Sequence, residues 1–279
     1  MTNTADVIVI GSGIVGSATA YELAKRGLRV TVLEKYTNVG DGASSRNGAG
    51  VRLGGRVSPE AELAAKAIYE IWPTLGEELD ADLEYVRAGS LTLAHSESQI
   101  ASLDKKLAKD RKAGAPSQLV DGKEAREICP YLSDYVEKAV WSEMDGHANP
   151  MVTTLAYYRA ARRLGVRYIT GENVVALEKR QGRIRRVITE AGTVYEADKV
   201  VLAAGFNSRR IAKTVGLWIP FLKRVDECLI TEVQPPMFQV RVSCADGNFY
   251  GSQTKHGSFI FGGNTNLERY EECYDDKPI

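Results

Sequence analysis

The stretch ADVIVIGSGIVGSATAYELAKRGLRVTVLEK, residues 5–35, decides the fold class. Residues 6–10, DVIVI, form a short β-branched apolar run, as a parallel strand buried on both faces requires. From Ser17 to Arg26 the chain is rich in helix formers, and Gly27 stands where a left-handed residue ends a helix. LRVTVLE, residues 28–34, reads as a second strand. A βαβ unit is therefore expected, with glycines at its first turn.

Each glycine there has a mechanical role. Gly11 permits the tight turn, Gly13 lets a pyrophosphate approach the backbone, and Gly16 lets helix and strand pack closely. The helix N-terminus offers backbone N–H groups to the phosphate. Glu34 ends the second strand 18 residues after Gly16 (34 minus 16), where a carboxylate accepts the hydroxyls of an adenosine ribose and repels a 2′-phosphate. A glycine-rich turn alone is weak support; strand, helix, second strand and terminal acid in register point to a dinucleotide.

Composition narrows the alternatives. At 279 residues the chain suits one large domain or two smaller ones. Lys plus Arg and Asp plus Glu both number 36, so nucleic acid is not an expected partner. No apolar run is long enough for a transmembrane segment. The N-terminus lacks the pattern of a signal peptide, and a cytoplasmic protein is expected. Cys129, Cys228, Cys244 and Cys273 are far apart, as are His95, His147 and His256, so neither a metal site nor a disulfide framework is expected. Hydrolase signatures are missing too, which leaves the chemistry to a cofactor.

After Glu34 comes KYTNVGDGASSRNGAGVRLGGR, residues 35–56, dominated by glycine and small polar residues. Such a stretch can lay many backbone N–H groups against a phosphate and a flat ring. GSGIVG, LEK and GASSRNGAGVR resemble the flavin-dependent amine oxidoreductases of the D-amino acid oxidase superfamily, most of all its sarcosine oxidase β-subunit, glycine oxidase and opine oxidase group. DGHANPMVTTLAYYRAARRLGVRYITGENVVALE (145–178) and KVVLAAGFNS (199–208) are similar to two further blocks of that family. The resemblance implies FAD as cofactor. It places Gly11, Gly13, Ile14, Val15, Gly16, Glu34 and Lys35 at its adenosine diphosphate, and Ser44, Ser45, Arg46, Asn47 and Gly48 along the pyrophosphate and ring. Val174 and Val175 would contact the adenine through their backbone, and Ala203, Ala204 and Gly205 would pack on the adenosine half.

The implied fold class is α/β: a Rossmann-like FAD-binding domain with an inserted, mainly antiparallel β-sheet substrate domain of α+β character. The expected boundaries are 1–82 and 146–215 for the FAD-binding domain, and 83–145 and 216–279 for the substrate or cap domain. SPEAELAAKAIYEIW, with Ser58 as N-cap, and SESQIASLDKKLAKDRKAG read as scaffold helices. By the resemblance Tyr250 and Gln253 lie on the strand nearest the substrate. Arg52 is a candidate carboxylate clamp, because a planar guanidinium binds both oxygens. His147 is expected to be a hydrogen-bonded structural residue, and no catalytic side chain is assigned.

The implied reaction is oxidation of the C–N bond of a small amino acid, an N-substituted amino acid such as sarcosine or proline, or an opine. Hydride passes to flavin N5 and the imine product hydrolyses. Oxidation of a 2-hydroxy acid or polyol phosphate is the alternative chemistry. The family's C-terminal return to the cofactor domain is not recognisable after Gly263. That leaves open a fragment, a truncated non-catalytic chain, or a subunit completed by a partner in a heteromeric oxidase.

Overall fold

The computed structural model describes residues 3–57, 59–220 and 228–263. The expected N-cap Ser58, Cys273 and the segment after Gly263 lie outside the described residues. In chain order the elements are β1 (Thr4–Ile10), α1 (Ile14–Lys25), β2 (Val30–Glu34), β3 (Gly50–Val51), α2 (Glu60–Lys66), α3 (Trp72–Leu79), β4 (Ser90–Ala94) and α4 (Glu97–Lys112). Next come β5 (Ser117–Asp121), α5 (Gly122–Ile128), β6 (Lys138–Ser142), β7 (Gly146–His147), α6 (Pro150–Arg163), β8 (Arg167–Thr170), β9 (Val174–Arg180), β10 (Arg183–Thr189) and β11 (Val194–Leu202). The last are α7 (Ser208–Lys213), β12 (Cys228–Val233), β13 (Arg241–Cys244), β14 (Tyr250–Gln253) and β15 (Ser258–Gly262).

The chain forms two compact units. The first comprises residues 1–47, 79–81 and 150–223, and the second 48–78, 82–149 and 224–279. These boundaries differ from the expected ones mainly at 48–78. That segment packs by Val51, Leu53 and Ile68 against Ala115 and Ala148 of the second unit, and apolar burial of this kind outweighs its closeness in sequence to the first.

The first unit is built on a six-stranded sheet in the order β8-β2-β1-β11-β10-β9. β8, β2, β1 and β11 run parallel, and β10 and β9 extend the sheet antiparallel. Every residue of β2 is buried and Val7 to Ile10 are too, which explains the unbroken apolar runs. Helix α1 carries the crossover from β1 to β2. Tyr21 on α1 meets Tyr157 on α6 edge to face at 5.8 Å between ring centroids. Ile8, Ile10, Leu33, Val187 and Ile211 belong to one core cluster on this sheet.

The second unit has a seven-stranded sheet, β12-β15-β14-β13-β4-β6-β5, antiparallel except where β13 runs parallel to β4. Leu91, Val120, Ala139 and Val242 form its core on one side. Helix α4 is capped by Ser96, whose hydroxyl accepts the Gln99 N–H at 3.4 Å. It buries Leu103 and Leu107 against Ala94 and Val140. The helix expected from residue 58 onward is divided: a π-helical turn, Ala67–Ile71, separates α2 from α3. Pro73, without an N–H and with a ring that crowds the preceding turn, accounts for the change of register.

Candidate functional site

In the first unit, a cleft of about 480 Å³ opens at the C-terminal ends of β1, β2 and β11. Its floor is the turn between β1 and α1. Gly11 has φ +99°, and its N–H donates to the Leu33 carbonyl at 2.8 Å. A Cβ at Gly11 would lie 2.5 Å from the Ala203 carbonyl oxygen, and one at Gly16 only 2.0 Å from the Gly11 carbonyl oxygen. The turn therefore closes on backbone atoms that no side chain could replace. Gly13 lines the cleft as the N-cap of α1, and as a glycine it brings no capping side chain of its own.

Ser44 reaches this turn from the loop after β2: its Oγ accepts the Ile14 N–H at 2.9 Å. One of the helix N–H groups expected to face the cofactor is thus already paired.

Glu34 is 6% exposed, yet it lines the cleft. Its Oε2 accepts from the Ser12 N–H at 2.8 Å and the Ser12 hydroxyl at 2.7 Å, while Oε1 accepts from the Tyr36 N–H at 2.9 Å. These bonds compensate its burial and fix the carboxylate at the cleft wall. Ser12 was absent from the sequence expectation, although its place between two required glycines and opposite an acid was legible.

Of the expected cofactor residues, Gly11, Gly13, Val15, Glu34, Lys35, Ser44, Val174, Ala203, Ala204 and Gly205 line this cleft. Ile14 and Gly16 stand behind it in α1, and Val175 follows Val174 on β9 without reaching the lining. Ser45, Arg46 and Asn47 stabilise their own loop. The Ser45 hydroxyl donates to the Gly42 carbonyl, Arg46 pairs with Asp41 at 2.7 Å, and Asn47 donates to the Ala43 and Ser44 carbonyls. Tyr36, Glu172, Asn173 and Phe206 also line the cleft. The Lys35 ammonium sits 4.3 Å from the Tyr36 ring centroid and 5.9 Å from that of Phe206, giving the opening an aromatic and cationic edge.

The expected substrate residues lie in the second unit. Gln253 ends β14, and its amide is engaged within that unit. Oε1 accepts from the Met237 N–H at 2.8 Å, and Nε2 donates to the Pro235 carbonyl at 2.8 Å and the Gly257 carbonyl at 3.0 Å. These bonds make Gln253 a strut between the loop before β13 and the turn after β14. Tyr250 starts β14, and its ring packs where a Cβ on Gly48 would come within 2.4 Å. Arg52, just after β3, is exposed.

His147 is buried, pairs with Gly50 across β3 and β7, and shares a hydrogen bond between Nε2 and the Gln239 carbonyl at 3.1 Å. Burial lowers its pKa from the ordinary value; the Gln239 bond opposes this and Arg241 reinforces it. These are the surroundings of a structural histidine.

Sequence reasoning missed Arg241, the first residue of β13. It is 7% exposed, with its guanidinium 4.9 Å from the Tyr250 ring centroid. Burial and then the nearby Arg52 pull its pKa down to about 10, against the opposite pull of Tyr250, Asp145 and Cys228. A charged residue between valines in VRV was the only signal for it.

A buried acid at the end of β2, a glycine floor that brings backbone to the surface, and an aromatic edge fit the adenosine diphosphate half of a dinucleotide. Among the described residues no cluster of His, Cys, Asp and Glu could hold a metal ion, and no helix is long and apolar enough to cross a membrane.

Comparison with known proteins agrees with this geometry. Residues 6–278 match the family model described as DAO, FAD dependent oxidoreductase. The chain is 30% identical over 271 residues to sarcosine oxidase subunit beta of Rhizobium meliloti (strain 1021), covering 93% of this chain and 63% of that protein. It is 29% identical over 255 residues to glycine oxidase of Geobacillus kaustophilus (strain HTA426), covering 88% of this chain and 67% of that one. Among solved structures, L-proline dehydrogenase from P. horikoshii superposes with a TM-score of 0.87 at 28% identity, covering all of this chain and 74% of that one. The chain thus spans about two thirds of the length of the curated relatives it matches.

Proposed function

Because this chain belongs to the family of FAD dependent oxidoreductases, we propose that its first unit holds the adenosine half of FAD and its second unit holds substrate, a small amino acid or N-substituted amino acid oxidised at its C–N bond. The observation that carries the cofactor assignment is Glu34. A buried carboxylate, held by three bonds to Ser12 and Tyr36 and still lining the cleft, is placed to accept ribose hydroxyls. Gly11 and Gly13 bring backbone to the pyrophosphate, and Val174, Ala203, Ala204 and Gly205 wall the nucleoside.

Bound FAD supplies a two-electron acceptor for the α-C–H of the substrate. The work left to the protein is positional: to hold the amine-bearing carbon at a fixed angle and distance, and to keep competing poses out. The substrate class rests on the amino-acid and amine oxidoreductases to which the chain is similar. Similarity to a protein named as a subunit supports a further part of the proposal, that this chain works beside a partner chain.

The test uses the full-length protein. Its absorption spectrum before and after acid precipitation reports FAD and its covalency together, and anaerobic addition of sarcosine, glycine and L-proline reports reduction by loss of the yellow colour. Bleaching by 2-hydroxy acids or polyol phosphates with none by the amines would overturn the substrate class. Replacing Glu34→Ala removes a charge-assisted contact of about 1.5–3 kcal/mol, so FAD affinity is expected to fall roughly ten- to hundredfold. Unchanged affinity would overturn the role given to this carboxylate.

A further inference from the structure

Ser12 has no exposed surface and lies outside the cleft lining, yet it supplies two of the three bonds that hold the Glu34 carboxylate among the described residues. Its N–H and its hydroxyl both donate to Oε2, at 2.8 and 2.7 Å. A hydroxyl has one proton, so this one is wholly committed to the acid. The serine is itself held from two sides. Its carbonyl accepts the Ser17 hydroxyl at 3.0 Å, and its Oγ accepts the Gly40 N–H at 3.4 Å. Gly40 has φ +76°, and a Cβ there would come within 2.9 Å of Thr154 Cγ2, so the loop reaches Ser12 at a position suited to glycine.

A carboxylate has about four lone-pair positions, two on each oxygen. On Glu34, Ser12 fills both positions of Oε2. Oε1 accepts the Tyr36 N–H at 2.9 Å, which leaves it a single position. An unencumbered carboxylate at the end of β2 takes both hydroxyls of a ribose, one on each oxygen. Turning Glu34 to offer Oε2 as well breaks two short bonds to a charged acceptor and makes one new one. The present grip is therefore the favoured state with ligand as well as without it. A 6% exposure fits an acid that shows the cleft only one edge.

We infer that Ser12 is a positioning residue that sets the nucleotide specificity of the cleft: it fills Oε2, so that Glu34 reads a single ribose hydroxyl through Oε1. This rests on the proposed binding of FAD and narrows it. The second ribose hydroxyl is left unread by the acid, and a dinucleotide lacking it is accepted as readily as the complete one.

The test uses the full-length apoprotein, prepared from riboflavin-starved cells, with FAD and two FAD analogues built on 2′-deoxyadenosine and 3′-deoxyadenosine. Quenching of flavin fluorescence reports binding, without turnover. On the unaltered protein one analogue is expected to bind roughly ten- to hundredfold more weakly than FAD, the loss of one charge-assisted hydrogen bond, and the other to bind as FAD does. Ser12→Ala keeps the backbone N–H and loses the hydroxyl. It is expected to weaken FAD binding and to shrink the difference between FAD and the sensitive analogue. Glu34→Ala abolishes that difference, and Ser12→Ala added to it lowers FAD affinity no further, because the two residues act as one.

Equal weakening of both analogues on the unaltered protein would mean that Glu34 takes both hydroxyls, and full affinity for both that it takes neither. Either result overturns the inference, and neither depends on a variant that folds. A difference between FAD and the sensitive analogue that survives intact in Ser12→Ala, alongside a lowered melting temperature, would make Ser12 structural alone and overturn its positioning role. Failure of the unaltered apoprotein to bind FAD would defeat the proposed function itself, whereas FAD binding with equal loss in the two analogues defeats only the reading given to Ser12.

Discussion

Gly16 shows how little room a single residue has at the cleft floor. Its position leaves 2.0 Å between a built Cβ and the Gly11 carbonyl oxygen, and that oxygen belongs to the turn that must face the cofactor. Gly16→Ala must push α1 away from β1, with an expected loss of at least about 2 kcal/mol in stability and a lower FAD content. Thermal unfolding with and without added FAD measures both; full stability with normal FAD content would contradict the close packing. The glycines and Glu34 were legible in the sequence because their roles depend on fixed spacing along one βαβ unit. Arg241 was not, because its surroundings, Gly50, Arg52 and Tyr250, are remote in sequence or brought near only by the sheet. The bonds of Gln253 to Pro235, Met237 and Gly257 were not legible for the same reason: a loop and a turn join these residues and leave no periodic signal.

At the scale of elements, β14 is held from both ends. Tyr250 packs against Gly48 and Arg241 at one end, and the Gln253 amide ties two turns at the other. Gln253→Ala leaves the Met237 N–H and the Pro235 and Gly257 carbonyls without that partner, with an expected cost of about 1–3 kcal/mol. KM for the amino acid should be unchanged. A raised KM at unaltered thermal stability would return Gln253 to the substrate site. Unbroken apolar runs marked β1 and β2, and Ser96 marked the start of α4. What the pattern could not supply was the order of strands in the sheets, which follows from tertiary packing, or the π turn before Pro73, which breaks the helical period locally.

For the whole molecule, the buried His147 makes stability depend on pH. Its folded pKa is lowered, mainly by burial, against the Gln239 carbonyl bond and with the Arg241 charge. The unfolded chain therefore binds the proton first as pH falls. The contribution is intact above the ordinary imidazole pKa of about 6.5 and is lost as pH falls from there through the lowered folded value. His147→Gln, which keeps a donor for the Gln239 carbonyl, should show a shallower fall in unfolding midpoint between pH 7.5 and 5.5. Parallel curves for the two proteins would remove His147 as the source.

The division into units follows long-range packing, which is why residues 48–78 could not be assigned from their neighbours in sequence. The same topology sets a timetable for synthesis. The edge of β1 opposite β2 is closed by β11, with Thr4 paired to Glu196, so 192 residues (196 minus 4) separate the two strands. At about 5–20 residues per second the ribosome takes roughly 10–40 s to make that interval. Until then β1 lacks its native partner on that side, so the sheet of the first unit cannot be completed. The residues that make the best dinucleotide strand are thus also the ones that most need shielding before the chain is complete.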